Sequence, residues 1–185
     1  MKKFGIKEIV TIGIGTVLFV VLTDVSIPIM DIPNINICLE PRRAVLAILA
    51  AVFGPIVGGV IGLLGYLVGS KWIYGDIWWS YVIPEAIVGV SIGLFARKFA
   101  VQEGGFNKSN CILFNVVQVI GNAIAWIGLG PVLDIVFYEE TADKVFIQGV
   151  GTFLGNILVI GILGTILLAV YSNISGKSSS CKKED

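Results

Sequence analysis

Ala44-Val-Leu-Ala-Ile-Leu-Ala-Ala-Val-Phe-Gly-Pro-Ile-Val-Gly-Gly-Val-Ile-Gly-Leu-Leu-Gly-Tyr-Leu-Val68 is twenty-five residues without a charge. Read as one span it would cross a bilayer once, since about 20 apolar residues suffice. Gly54-Pro55 interrupts it, and proline removes a helix donor and clashes with the preceding turn. The stretch is therefore read as two shorter helices, Ala44 to Phe53 and Pro55 to Gly69, joined by a tight turn. That decision sets the parity of every loop that follows.

Outward from it, four further apolar runs are long enough to be helices: Ile9 to Val25, Ser80 to Ala96, Cys111 to Leu129 and Val145 to Tyr171. The expected fold is an all-α integral membrane protein, a six-transmembrane-helix bundle with both termini cytoplasmic. Residues 1–171 form the single membrane domain, and 172–185 a polar cytoplasmic tail. With this parity the basic residues on the inside are Lys2, Lys3, Lys7, Arg97, Lys98, Lys108, Lys177, Lys182 and Lys183. Only Arg42, Arg43, Lys71 and Lys144 fall outside, as the positive-inside rule requires. Treating 44–68 as one span moves Arg97, Lys98 and Lys108 outside and erases the bias. The first run carries no small-x-small cleavage signal before Asp24, so it reads as a retained helix.

Composition agrees. Of 185 residues, 56% are hydrophobic and only 14% charged, where a soluble domain carries about 25% charged. Net charge is zero, which implies no nucleic-acid partner. Without histidine, and with three dispersed cysteines, neither a metal site nor a cofactor is expected. Catalytic motifs fail as well. Ser175-Gly-Lys-Ser178 resembles the end of a phosphate-binding loop, but Tyr171 stands where its first glycine belongs. Gly13-Ile-Gly15 is a fragment of a dinucleotide motif inside a membrane span. The chain is not expected to be an enzyme.

Glycine makes up 23 residues. Gly58, Gly62, Gly65 and Gly69 share one helix face, and Gly89/Gly93 and Gly151/Gly155 are spaced as packing pairs. In lipid, small residues let helix backbones approach closely, so internal packing is the main expectation. Thr11 and Gly15, on the first helix, are the pair assigned to a membrane partner.

Polar and aromatic residues gather on the outer side. Asn34 to Glu40 alternates polar with apolar and reads as extended. Lys71 to Tyr81 is rich in Trp and Tyr, and Asp134 to Glu140 closes the last outer loop. Aromatics at an interface serve as anchors, or wall a ligand pocket. Glu85, one turn into its helix, needs water or a partner, which Arg42, Arg43 or Lys71 could supply. Asn122 and Trp126 are four apart on one helix face, Gln148 opens the last helix, and Asn156 lies two turns further in. The substrate-binding candidates are Asn34, Asn36, Glu40, Arg42, Trp72, Trp78, Glu85, Asn122, Trp126 and Gln148.

The order Asn34-Ile-Asn36, Glu40-Pro-Arg-Arg43, Phe53-Gly-Pro55, Tyr74-Gly75, Trp78-Trp-Ser80, Phe114-Asn115 with Gln118, Pro131-Val-Leu-Asp134 and Lys144-Val-Phe-Ile-Gln-Gly149 resembles one family. It is similar to the S components of energy-coupling factor (ECF) vitamin transporters, in the riboflavin-type subgroup. The resemblance implies a six-helix subunit of the bacterial plasma membrane that captures a vitamin or related micronutrient from outside. It implies docking on a membrane T subunit coupled to two cytoplasmic ATPases, and toppling of the S component to carry substrate inward. Family members contact the T subunit through small residues of the first helix, often Ala-x-x-x-Ala, where this chain has Thr11-Ile-Gly-Ile-Gly15. A stand-alone ion-coupled secondary transporter is the other reading, but such folds often show internal repeats and none is evident.

Overall fold

The computed structural model describes residues 5–32 and 35–181. In chain order it contains α1 (Ile6–Val21), closed by a short 3₁₀ turn, then β1 (Ile27–Ile32) and β2 (Ile35–Leu39). Helices α2 (Pro41–Phe53), α3 (Pro55–Tyr74), α4 (Trp79–Leu94) and α5 (Ala96–Phe99) follow. Next come α6 (Lys108–Asn122) and α7 (Gly130–Tyr138), joined by a π-helical segment at Ala123–Leu129. Finally α8 (Ala142–Val159) and α9 (Thr165–Cys181) are joined by a second π segment at Ile160–Gly164.

Among the described residues, four continuous helices are long and apolar enough to cross a membrane: Ile6–Asp24, Pro55–Tyr74, Lys108–Tyr138 and Ala142–Gly176. A fifth results if Trp79–Leu94 and Ala96–Glu103, bent by 53° where they meet, are one span.

The deciding stretch is broken where the sequence says it is. Gly54 has φ 100°, a left-handed value that side chains with a Cβ rarely adopt. Pro55 then opens α3, where its missing N–H is no loss. Helix α2 has only 13 residues, about 20 Å at the usual rise. It is the core helix. Ala44, Leu46, Ala47, Ala50 and Ala51 are all buried, and α1, α3, α4 and α8 pack around it. Alanine at these positions lets several helices approach at once.

The α3 glycines divide between two neighbours. Methyl groups at Gly58 and Gly62 would collide with the α4 backbone at Gly89 and Glu85. At Gly65 and Gly69 they would strike Phe19 of α1 and Thr23 of the 3₁₀ turn that closes it. Gly93 meets Gly54 and Pro55 in the same way, and Gly155 abuts the carbonyl of Cys38. The glycine rows are internal packing, as expected.

Four differences from the sequence reading stand out. The extended segment before Glu40 is β2, but it pairs antiparallel with β1 in a hairpin, so the chain is not purely helical. Asp134 lies on helix α7 rather than in a loop, because the π segment carries the helix through Pro131 to Tyr138. Lys71 to Tyr74 likewise stays helical, leaving Gly75 to Trp78 as the connection. Past Tyr171 the helix continues to Cys181. It is held there by the Ser172 hydroxyl, which accepts from the Phe106 N–H at 3.2 Å.

Candidate functional site

At the hairpin end of the bundle, α3, α4, α7 and α8 leave a cavity of about 300 Å³. Tyr66, Tyr74, Trp78 and Tyr81 form its aromatic walls, and Ser70, Asp134, Glu140, Lys144 and Gln148 its polar ones. The Trp78 ring lies 4.5 Å from that of Tyr138, whose hydroxyl accepts the Trp79 N–H at 2.9 Å. This ties the α3–α4 connection to the end of α7. The Ser80 hydroxyl donates to Asp134 at 2.5 Å, and Lys144 donates to Glu140 one turn away at 2.8 Å.

The floor is aromatic. Tyr66 and Tyr81 stack at 6.1 Å, and Tyr81 meets Trp126 edge-on at 5.4 Å. Beneath lies a layer of buried charge. The Arg42 guanidinium sits between Tyr66 (4.9 Å) and Phe19 (5.2 Å), and Arg43 lies 4.8 Å over Trp126. Planar guanidinium groups over ring faces gain from the ring quadrupole, more so away from water.

Glu40, the residue preceding α2, holds both arginines through one oxygen, at 2.8 Å from Arg42 and 2.7 Å from Arg43. Burial raises the Glu40 pKa, but the two guanidinium charges and their hydrogen bonds outweigh it and hold the carboxyl at about 2. Arg42 also donates to Thr23 of the 3₁₀ turn at 3.3 Å. Arg43 reaches the Asn156 side-chain oxygen. The Asn156 amide then donates to Asn122 at 2.9 Å, and the Asn122 amide to the Gln118 carbonyl at 2.9 Å. A single polar chain thus links the start of α2 to α8 and α6.

Glu85 is the exception in this layer. It is 1% exposed, lies 3.7 Å from Arg43, and among the described residues accepts no hydrogen bond at either carboxylate oxygen. The buried Trp126 indole N–H likewise has no acceptor among the described residues. Most buried polar groups find partners. An unpaired acceptor and an unpaired donor, both in contact with Arg43, are therefore a place where a ligand's polar edge would be rewarded.

Of the sequence candidates, the structure brings Trp78 and Gln148 to the cavity wall. Glu40, Arg42, Glu85, Asn122 and Trp126 come together in the layer beneath. Trp72 does not join them: it is 83% exposed on the outside of α3, because the helix runs one turn further than a loop reading allowed. Asn36 lies on β2 opposite Asp31, with its side chain outside the described residues, as is Asn34 altogether. Gly15 is turned inward, where a methyl would strike Leu49 and Ile61, while Thr11 is half-buried and bonds its own helix at Lys7. Lys71 caps the Gly75 carbonyl rather than Glu85.

Arg43 and Asn156 of the polar layer, and Tyr66, Ser70, Tyr74, Tyr81, Asp134, Glu140 and Lys144 of the cavity wall, are absent from the candidate set. The Arg42-Arg43 doublet beside an apolar run was a signal for the first. Tyr66 had none, since it is hidden in the glycine row of α3.

Comparison with known proteins agrees with this architecture. A UPF0397 protein of Exiguobacterium sp. is 42% identical over 184 residues, covering 100% of both chains. One from Enterococcus faecalis is 40% identical over 183 residues, covering 99% of each. The fold is shared with ThiT from Listeria monocytogenes, at a TM-score of 0.68 and 18% identity over 88% of this chain and 93% of that one. The family described as "ECF-type riboflavin transporter, S component" matches residues 3–173, and the chain belongs to that family.

Proposed function

We propose that this chain is the substrate-capture subunit of an ECF-type importer of the bacterial plasma membrane, taking up a vitamin or related micronutrient for ATP-driven transport. In this reading the hairpin end faces outward and both termini are cytoplasmic. The short α2 counts as the second of six spans, shielded from lipid by its neighbours. A membrane T subunit and two ATPases complete the machine.

The observation that carries the proposal is the cavity itself. Four aromatic side chains wall it, and a layer of buried charge lies against Tyr66, which stacks on Tyr81. Small-molecule sites are largely apolar clefts with a few placed polar groups, and stacking favours a flat ring. Riboflavin or a similar flat compound is the ligand class this reading assigns. Trp78 and Gln148 would contact it from the wall, and Glu85 and Trp126 would meet its polar edge if the Tyr66–Tyr81 pair opens.

A thermal-shift screen of the purified chain against vitamins tests the reading. A ligand that binds only the folded state adds about 2.7 kcal/mol at a hundredfold excess over Kd. One clear hit is expected. A folded sample that responds to no vitamin, or an isolated chain that transports on an ion gradient without ATPases, would overturn it.

The T-subunit face is assigned to the exposed side of α1 near Thr11 and Gly13. Gly13 has open space around it and is flanked by exposed Val10, Ile14 and Val17. Thr11→Leu is expected to leave ligand binding unchanged and to reduce co-purification with the T subunit. Full complex yield would remove this face from the account.

A further inference from the structure

The charges around the cavity do not cancel. In the layer beneath, Glu40 and Glu85 are matched by Arg42 and Arg43. On the wall, Glu140 is paired with Lys144 at 2.8 Å. Asp134 remains. It is 7% exposed, and among the described residues its one side-chain donor is Ser80, at a single oxygen. Among the described residues no cation forms an ion pair with it; Lys144, on the same cavity, is paired with Glu140, and Asp134 lies on a wall it shares with Tyr66, Tyr74, Trp78 and Tyr81.

We propose that Asp134 is the charge-selecting residue of the cavity, favouring a flat ring compound that presents a positive charge or N–H and O–H donors, and rejecting phosphorylated and carboxylated analogues. The proposal rests on the reading of this cavity as the capture site.

Three physical arguments support it. A carboxylate held in place by Ser80 and facing low-dielectric walls repels an anion more strongly than one in open water. The aromatic walls attract cations through the same ring faces that stack a flat ligand. The available cation, Lys144, does not reverse this. Its side chain is 47% exposed, and an anion that captured it would leave the Glu140 carboxylate unpaired in the same cavity. Selectivity built from repulsion of the wrong ligand needs only one such group.

The test uses the full chain in detergent and two series that hold the ring and vary the charge. One is 1-methylnicotinamide, nicotinamide and nicotinate; the other is riboflavin and riboflavin 5′-phosphate. Affinities come from thermal-shift titrations. In whichever series binds, the anion is expected to be weaker than its cationic or neutral partner by about tenfold or more. Asp134→Asn, which keeps the shape and the Ser80 contact, is expected to shrink that ratio to about threefold or less. If another vitamin is the hit, the same ratio is read against its own phosphorylated or carboxylated analogue.

An anion that binds as well as its partner overturns the proposal while leaving the capture reading intact. So does a ratio that Asp134→Asn leaves unchanged. A folded sample that binds no compound of any charge overturns the capture reading and the selectivity with it. The ratio within the unaltered chain decides the matter should Asp134→Asn not fold.

Discussion

Helix α3 meets α4 in one way, and α2 is joined to α8, and through it to α6, in another. The α3–α4 seam is built from backbone. Gly58, Gly62, Gly89 and Gly93 bring the two helices together with no side chain between them. The seam around α2 is built from side chains. Arg43, Asn156, Asn122 and Gln118 bridge three helices in a polar chain anchored by Glu40. The first holds by van der Waals contact, which has one geometry and tolerates no insertion. The second holds by hydrogen bonds between groups that could exchange partners, and among the described residues it leaves Glu85 and Trp126 Nε1 without a hydrogen-bond partner. A rigid seam fixes one wall of the cavity, and a polar seam leaves its floor responsive to what enters.

The largest effect is expected from breaking the rigid seam. Gly89→Leu places a branched side chain where the Gly58 carbonyl already sits. Overpacking of this kind costs about 1–3 kcal/mol when the surroundings yield, and backbone does not. Loss of monodisperse protein on size-exclusion chromatography is expected. A well-folded Gly89→Leu would mean that α3 and α4 can separate.

The polar seam is expected to fail by a different rule. Arg43→Met leaves Glu85 without a counter-charge and removes one of the two guanidinium groups that hold Glu40. Removing one member of a buried pair costs about 3–5 kcal/mol. Combining it with Glu85→Leu is expected to recover much of that loss in thermal unfolding, because the stranded charge is gone. No recovery would show that Arg43 acts through Glu40 and Asn156 alone.

Sharper still is Glu85→Gln. Among the described residues the carboxylate accepts no hydrogen bond, and Arg43 keeps its Glu40 contact when the Glu85 charge is lost, so Glu85→Gln is expected to cost less thermal stability than Arg43→Met. Affinity for the screening hit is expected to fall by about tenfold, the scale of one charge-assisted hydrogen bond. Equal loss of stability and affinity would make Glu85 structural.

Acid gives the gentlest probe. The Glu40 pKa is depressed from 4.5 to about 2, so the folded state binds fewer protons than the unfolded chain. Its contribution is complete above about 4.5 and lost as pH falls through about 2. A melting temperature that declines over that window in the wild type, and declines less in Glu40→Gln, is expected.

The two seams also differ in how far they could be read beforehand. Glycine spacing is a local signal, and Gly54-Pro55 marks a break by covalent chemistry alone, so the scaffold was legible. Glu40, Arg42, Glu85, Asn122 and Trp126 were legible for a related reason: polar groups in apolar runs need partners. Which partner each takes depends on helix rotation and on two π segments that no pattern announces. Trp72 and Tyr66 show the cost. They are six residues apart on α3, and the conspicuous one faces outward while the inconspicuous one forms the floor. Strand β1 escaped notice because Ile27 to Ile32 continues an apolar run and becomes extended only by pairing with β2.

The central claim is that the aromatic cavity above the ionic layer is where substrate is captured. The most direct test is equilibrium binding of the screening hit to the wild type, Trp78→Ala, Tyr81→Ala and Trp72→Ala, each checked for an unchanged ligand-free melting temperature. The account predicts wild-type affinity for Trp72→Ala and losses of about tenfold or more for the other two, in line with truncating an aromatic contact. Undiminished binding in both Trp78→Ala and Tyr81→Ala would contradict it and place capture elsewhere on the chain.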